Sequence, residues 1–193
     1  MNVCVFGASS DELEPRFFDA AEAMGRALAE NGLGMVFGGG AHGLMGAAAR
    51  GAHSAGGYIV GIAPRFFDRP GVLFEHCSEL VFTETMRERK RRMEELSEAF
   101  VVLPGGIGTF EEFFEVLTLK QLGRHRKPIA VLNTDGYYVP LFQLLEHAVD
   151  RGFMLEKCRE LYECCRDPEA CIRVVRAGAS PEIDLWKLKK FQG

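Results

Sequence analysis

Ala99-Phe100-Val101-Val102-Leu103-Pro104-Gly105-Gly106-Ile107-Gly108-Thr109-Phe110-Glu111-Glu112 holds an apolar run, a proline–glycine turn and the opening of a helical pattern. A strand without polar alternation is covered on both faces, which is the habit of parallel sheets flanked by helices. The strand, the tight turn and the helix start follow one another directly. Such a junction leaves main-chain N–H groups without intrahelical partners, and those groups and the helix dipole favour a phosphate. A glutamate beside such a cradle repels the anion, so it is a candidate for chemistry.

Outward from this stretch the chain alternates strands and helices. Strands are expected at Asn2–Phe6, Gly34–Phe37, Tyr58–Ile62, Glu79–Phe82, Phe100–Leu103 and Pro128–Leu132. Helices are expected at Leu13–Glu30, Leu44–Ser54, Glu84–Ser97, Thr109–Leu122, Pro140–Arg151 and Asp167–Ala177, and Pro64–His76 reads as a loop. Asp167 is suited to cap the last helix and Pro168 to its first position. The alternation implies an α/β fold: a doubly wound parallel sheet in three layers, α/β/α, as a single domain over 1–178. A tail over 179–193, with Trp186 and a Lys-rich end, stands outside it. Ligands of such sheets bind beyond the carboxyl ends of the strands, where both glycine turns fall.

Among 193 residues the net charge is −4, which argues against a general nucleic-acid binder. No apolar run has membrane-spanning length and the opening strand does not read as a signal peptide, so a cytoplasmic protein is expected. Six cysteines, at 4, 77, 158, 164, 165 and 171, show no CxxC spacing. They are read as free thiols of a reducing compartment, and neither a metal nor a cofactor is expected.

Gly38-Gly39-Gly40-Ala41-His42-Gly43 fits GxGxxG, yet it follows the second strand and no acid ends the next one for a ribose diol. A phosphate cradle or tight turn at Gly39 and Gly40 is preferred to NAD. His42 is either a ligand contact or a satisfied surface histidine. In Glu84–Ser97, Met86, Met93, Leu96 and Ser97 form one stripe flanked by Arg89 and Lys90, while Arg87, Arg91 and Arg92 point elsewhere. The two flanking cations either serve a ligand or snorkel and pair with nearby glutamates. On pattern alone Thr109–Glu112 is a capping box, with Thr109 as cap and Glu112 bonding back. Thr118 is a helix-face hydroxyl or core.

Met86-x-x-Arg89-Lys90 with Pro104-Gly105-Gly106-x-Gly108-Thr109-x-x-Glu112 resembles the paired signatures of the LONELY GUY (LOG) family, cytokinin riboside 5′-monophosphate phosphoribohydrolases often labelled lysine decarboxylases. The Gly38–Gly46 turn and Asp135-Gly136-Tyr137-Tyr138 share the likeness. It implies a Rossmann-like fold, a homodimer and hydrolysis of the N-glycosidic bond of an N6-modified adenosine monophosphate. By motif position Arg89 and Glu112 are the catalytic pair. Met86, Lys90, Gly105, Gly106, Gly108, Thr109, Gly39 and Gly40 would bind substrate, with Thr118 a weaker candidate. Departures at Arg87 and Gly7-Ala8-Ser9-Ser10 bear on base preference. Nothing in the chain suggests a pyridoxal phosphate site. Rival expectations are a broader AMP or nucleoside-monophosphate glycosidase and a non-catalytic nucleotide or molybdenum-cofactor carrier. A nucleic-acid binder using Arg87, Arg91 and Arg92 ranks behind both.

Overall fold

A computed structural model describes residues 1–179; the expected tail, with Trp186 and the Lys-rich end, lies outside the described residues but for its first. The strands are β1 (Asn2–Phe6), β2 (Gly34–Phe37), β3 (Ile59–Pro64), β4 (Glu79–Thr83), β5 (Ala99–Val102), β6 (Ile129–Leu132) and β7 (Glu163–Cys165). They form one sheet in the order β4-β3-β2-β1-β5-β6-β7, with every pairing parallel. The helices are α1 (Pro15–Glu30), α2 (Gly43–Ser54), α3 (Met86–Glu95), α4 (Ile107–Gln121), α5 (Val139–Asp150) and α6 (Pro168–Ala177). Short 3-10 turns occupy Arg65–Phe67, Thr134–Gly136 and Glu156–Leu161.

Strand pleating divides the core in two. Val3, Val5, Met35, Phe37, Ile59, Val101 and Leu103 face α1, α2 and α6. Cys4, Phe6, Val36, Val60, Ile62, Phe100 and Val102 face the layer that holds Met93 of α3 and Phe113, Val116 and Leu117 of α4. Full burial of each large apolar side chain contributes about 1.5–3 kcal/mol, so both layers are needed to fix the sheet between them. Helices α1 and α2 approach closely: a β-carbon on Gly25 would stand 1.8 Å from the Ala48 carbonyl oxygen.

The strand order reverses between β1 and β5, and their loops leave the carboxyl edge side by side. Phe6 pairs with Val102, Leu103 N–H donates to the Phe6 carbonyl at 2.9 Å, and Ala8 N–H donates to that of Pro104 at 3.0 Å. This is the crevice where open parallel sheets bind ligands.

Two local expectations are corrected. Strand β7 was not expected: Glu163-Cys164-Cys165 is too short to show a pattern, and it exists by pairing with β6. The capping box expected at Thr109–Glu112 is absent, because α4 starts earlier, with Gly106 as N-cap and no side-chain cap. A related arrangement opens α3 instead. The Thr85 hydroxyl accepts from Glu88 N–H at 3.1 Å, and the Glu88 carboxylate accepts from Glu84 N–H at 3.0 Å.

Candidate active site

The site is a cavity at the β1/β5 crevice with two lobes. The first, about 570 Å³, is lined by the loop Gly7–Ser10, by Met86, Arg87, Arg89 and Lys90 of α3, and by Gly106–Thr109, Glu111 and Glu112 of α4. The second, about 430 Å³, shares Ser9, Met45, Phe67 and Arg89 with it and continues past Gly38, Gly40 and His42 to Val72 and Leu73. Another cavity, about 380 Å³, lies at the amino ends of β6 and β7 beside Lys120, Tyr162 and Arg173. That edge is the wrong one for a parallel-sheet ligand site, and Glu112 is not on its wall.

The first main-chain bond of α4 runs from Phe110 N–H to the Gly106 carbonyl at 2.9 Å. The N–H groups of Ile107, Gly108 and Thr109 therefore stand at an uncapped helix start on the cavity wall, a ready anion seat. Gly105 has to be glycine here. A β-carbon would meet the Thr109 hydroxyl oxygen at 2.1 Å, so Thr109 folds down over the turn.

Arg89 and Glu112, drawn from α3 and α4 across the β5 crossover, meet inside. They are 7% and 8% exposed, and Arg89 Nη2 stands 3.6 Å from Glu112 Oε1. Arg89 Nε donates to the Ile62 carbonyl at 3.3 Å. Gly38 provides the guanidinium's room: a β-carbon there would lie 1.9 Å from Nη2. Burial pushes the Glu112 carboxyl up from its ordinary 4.5 to about 7, against the pull of Arg89. A buried carboxyl poised near neutrality beside a fixed cation is a frequent property of catalytic groups.

Lys90 reaches the wall with its ammonium held by Glu111 and by Glu115 Oε2, the latter at 2.8 Å. Burial alone would lower its pKa, but these carboxylates outweigh it and hold it above its usual value. The structure thus brings Met86, Arg89, Lys90, Gly106, Gly108, Thr109 and Glu112 around one lobe and Gly40 into the other. Gly105 and Gly39 sit behind the walls, and Thr118 is exposed on α4, on neither lobe. Arg87, expected to point elsewhere, stands on the first lobe. His42 is a satisfied surface histidine, with Nδ1 2.7 Å from Asp11 Oδ2 and Nε2 3.0 Å from the Gly71 carbonyl oxygen.

Phe67 was not singled out from the sequence, Gly38 entered only as part of the glycine motif, and Ser9–Ser10 only as a departure from the family pattern. The strand-order reversal was the signal for the loop. Phe67 arrives because residues 68–74 fold back on the glycine turn: Ala41 N–H donates to the Val72 carbonyl at 3.0 Å and Phe74 N–H to that of Gly39 at 2.8 Å. Among the described residues no group of three or more His, Cys, Asp or Glu is placed to hold a metal ion. None of their helices is long and apolar enough to cross a membrane.

Fold and site together define a Rossmann-like α/β protein with a buried guanidinium–carboxylate pair beside an uncapped helix start. Residues 45–175 match the model of a family described as "Possible lysine decarboxylase". The chain is 41% identical over 177 residues, 91% of its length and 89% of the relative's, to the cytokinin riboside 5′-monophosphate phosphoribohydrolase of Rhodococcoides fascians. It is 39% identical to an Arabidopsis thaliana protein of the same enzyme name, over 82% of this chain and 75% of that one. The chain belongs to this phosphoribohydrolase family, the LOG family. Among solved structures it resembles the molybdenum cofactor carrier protein of Chlamydomonas reinhardtii, with a TM-score of 0.69 at 23% identity over 91% of this chain and 96% of that one. The molybdenum cofactor binding protein of Rippkaea orientalis aligns with a TM-score of 0.68 at 22% identity, over 91% of this chain and 94% of that one. These two share the fold.

Proposed function

We propose that the protein hydrolyses the N-glycosidic bond of N6-modified adenosine 5′-monophosphates, giving the free base and ribose 5-phosphate. The observation that carries this is the buried Arg89–Glu112 pair, 3.6 Å apart, beside the open start of α4. The 5′-phosphate sits on the N–H groups of Ile107, Gly108 and Thr109 and so fixes the sugar. The base lies toward the second lobe, where Met45, Phe67, Val72 and Leu73 suit an apolar N6 substituent. As the C1′–N9 bond breaks, its electron pair leaves with the base and positive charge develops on the ribose. Ionised Glu112 stabilises that charge and orients a water, whose oxygen bonds to C1′. The water's proton passes to the carboxylate and from there to solvent, while the departing base takes up one proton from solvent, so the net reaction consumes one water and regenerates the carboxylate. Arg89 keeps Glu112 oriented and favours its charged form. The catalytic and binding roles of the individual residues belong to this reading.

In the same reading the protein is a cytoplasmic homodimer that takes neither nucleic acid nor membrane as partner. The free thiols among the described residues suit a reducing compartment, and light scattering tests the dimer. For the reaction, purified protein is incubated with N6-isopentenyl-AMP or AMP and the released base is measured. Release from the first that Glu112→Gln lowers by about a thousandfold or more supports the assignment. Equal rates on both substrates point to a general nucleoside-monophosphate glycosidase. Tight nucleotide binding without release points to a carrier.

A further inference from the structure

The turn that opens α4 has each of its carbonyls tied. The Leu103 carbonyl accepts from the Tyr138 hydroxyl at 2.7 Å. That of Pro104 accepts from Ala8 N–H at 3.0 Å, and that of Gly106 from Phe110 N–H at 2.9 Å. The Gly105 carbonyl accepts from the Tyr137 hydroxyl at 2.6 Å. Four consecutive acceptors are thus engaged, two of them by adjacent phenols from a distant segment. A turn so held has no carbonyl of these four residues left to face the cavity.

The Gly105–Gly106 peptide is the weak point of such a turn. A peptide flip reverses C=O and N–H by turning the ψ before it and the φ after it, and glycines on both sides allow this at little cost. Every peptide bond among the described residues is trans. With the Gly105 oxygen tied to Tyr137, the Gly106 N–H therefore points the other way, and Gly106 lines the first lobe. A flip would replace that donor by a carbonyl oxygen, which repels an anion.

The two tyrosines are themselves fixed. Tyr138 is buried, and its N–H donates to Asn133 Oδ1 at 2.7 Å. Asn133 N–H donates to the Cys165 carbonyl of β7 at 2.8 Å. The Tyr137 ring stands edge-on to Phe17 of α1, with centroids 6.1 Å apart. Next to them Asp135 holds a left-handed φ of 53° and pairs with Arg16 at 2.7 Å.

We infer that Tyr137 is a positioning residue that latches the Gly105–Gly106 peptide with its N–H toward the cavity, and so sets the affinity for the phosphate group of the ligand. Tyr138 anchors the segment from which Tyr137 acts. This rests on the reading that the turn holds a 5′-phosphate, and it adds what keeps the turn competent.

The test is equilibrium binding of AMP and of adenosine to the full chain and to Tyr137→Phe, by calorimetry, with the melting temperature of each recorded. Tyr137 is 40% exposed, so removing its hydroxyl leaves the fold standing. The expected result is AMP affinity about tenfold weaker, the worth of one donor to a charged group, with adenosine affinity and melting temperature unchanged. Unchanged AMP affinity overturns the latch. So does equal weakening of AMP and adenosine, which would mean general loosening of the site. If the native chain does not bind AMP, the nucleotide reading fails and the latch with it, and that is seen before any variant is made.

Discussion

At Glu112 burial and Arg89 act in opposite directions, and the pH behaviour follows from their balance. Burial dominates and raises the carboxyl to about 7, so in the free enzyme the ionised form that the proposed mechanism needs appears only near neutrality. The kcat/KM profile is expected to rise with pH through a limb near 7; a limb below pH 5 would contradict it. The same shift has a stability consequence. Between about pH 4.5 and 7 the folded chain holds this proton more tightly than the unfolded chain, so stability falls as pH rises through that window, by about 3 kcal/mol in all. Glu112→Gln has no such proton, so its stability relative to the native protein should increase from pH 5 to pH 8. Denaturant titrations at both pH values check this, and a pH-independent difference would refute it. Gly38→Ala tests the opposing effect. Its new β-carbon displaces the guanidinium, the end of a flexible side chain. With Arg89 moved, Glu112 loses the cation that lowers it, so turnover should fall about tenfold or more. The acid limb should also move to higher pH, with the melting temperature little changed.

At the scale of elements, α3 and α4 carry the site, and each starts in a way that fits its task. Helix α3 is closed by the Thr85 cap, which fixes where Arg89 emerges. Helix α4 is left open because its first N–H groups face the cavity. Thr85→Ala should lower stability by about 1 kcal/mol and weaken turnover through Arg89; full activity with lowered stability would show that α3 keeps its place without the cap. The difference between these two helix starts also shows what the sequence could and could not reveal. The alternation of elements, the glycine turns and the apolar strands were legible because they are local patterns. The start of α4 was misread because Thr109-Phe110-Glu111-Glu112 has the spacing of a capping box, whereas packing of Thr109 on Gly105 and burial of Glu112 against Arg89 prevailed. Both contacts reach outside that tetrad, as does the pairing that makes β7 a strand. The family resemblance singled out Arg89 and Glu112, which the fold brings 3.6 Å apart; pattern alone left the first open and made the second a cap.

Across the whole molecule, the cavity draws on both halves of the sheet. Gly7–Ser10 follow β1, Arg89 and Lys90 come by way of β4, and Gly106–Glu112 follow β5. The two halves meet at the β1–β5 pairing and at the hydrogen bonds from Ala8 and Leu103 that continue it. A nucleotide in the crevice therefore bridges segments far apart in sequence, and its binding energy stabilises their junction rather than one half. At a hundredfold excess over Kd, a ligand that binds only the folded state adds about 2.7 kcal/mol. For a chain of this size that corresponds to a rise in melting temperature of about 5–10 °C. AMP should produce this rise in one cooperative transition, in the native chain and in Glu112→Gln alike, because in the proposed mechanism Glu112 acts on the bond and the turn holds the phosphate. Scanning calorimetry with and without AMP decides it. If AMP shifted only one of two separate transitions, the halves would fold independently and the crevice could not couple them. A shift lost in Glu112→Gln would move the main binding contact from the α4 turn to the carboxylate.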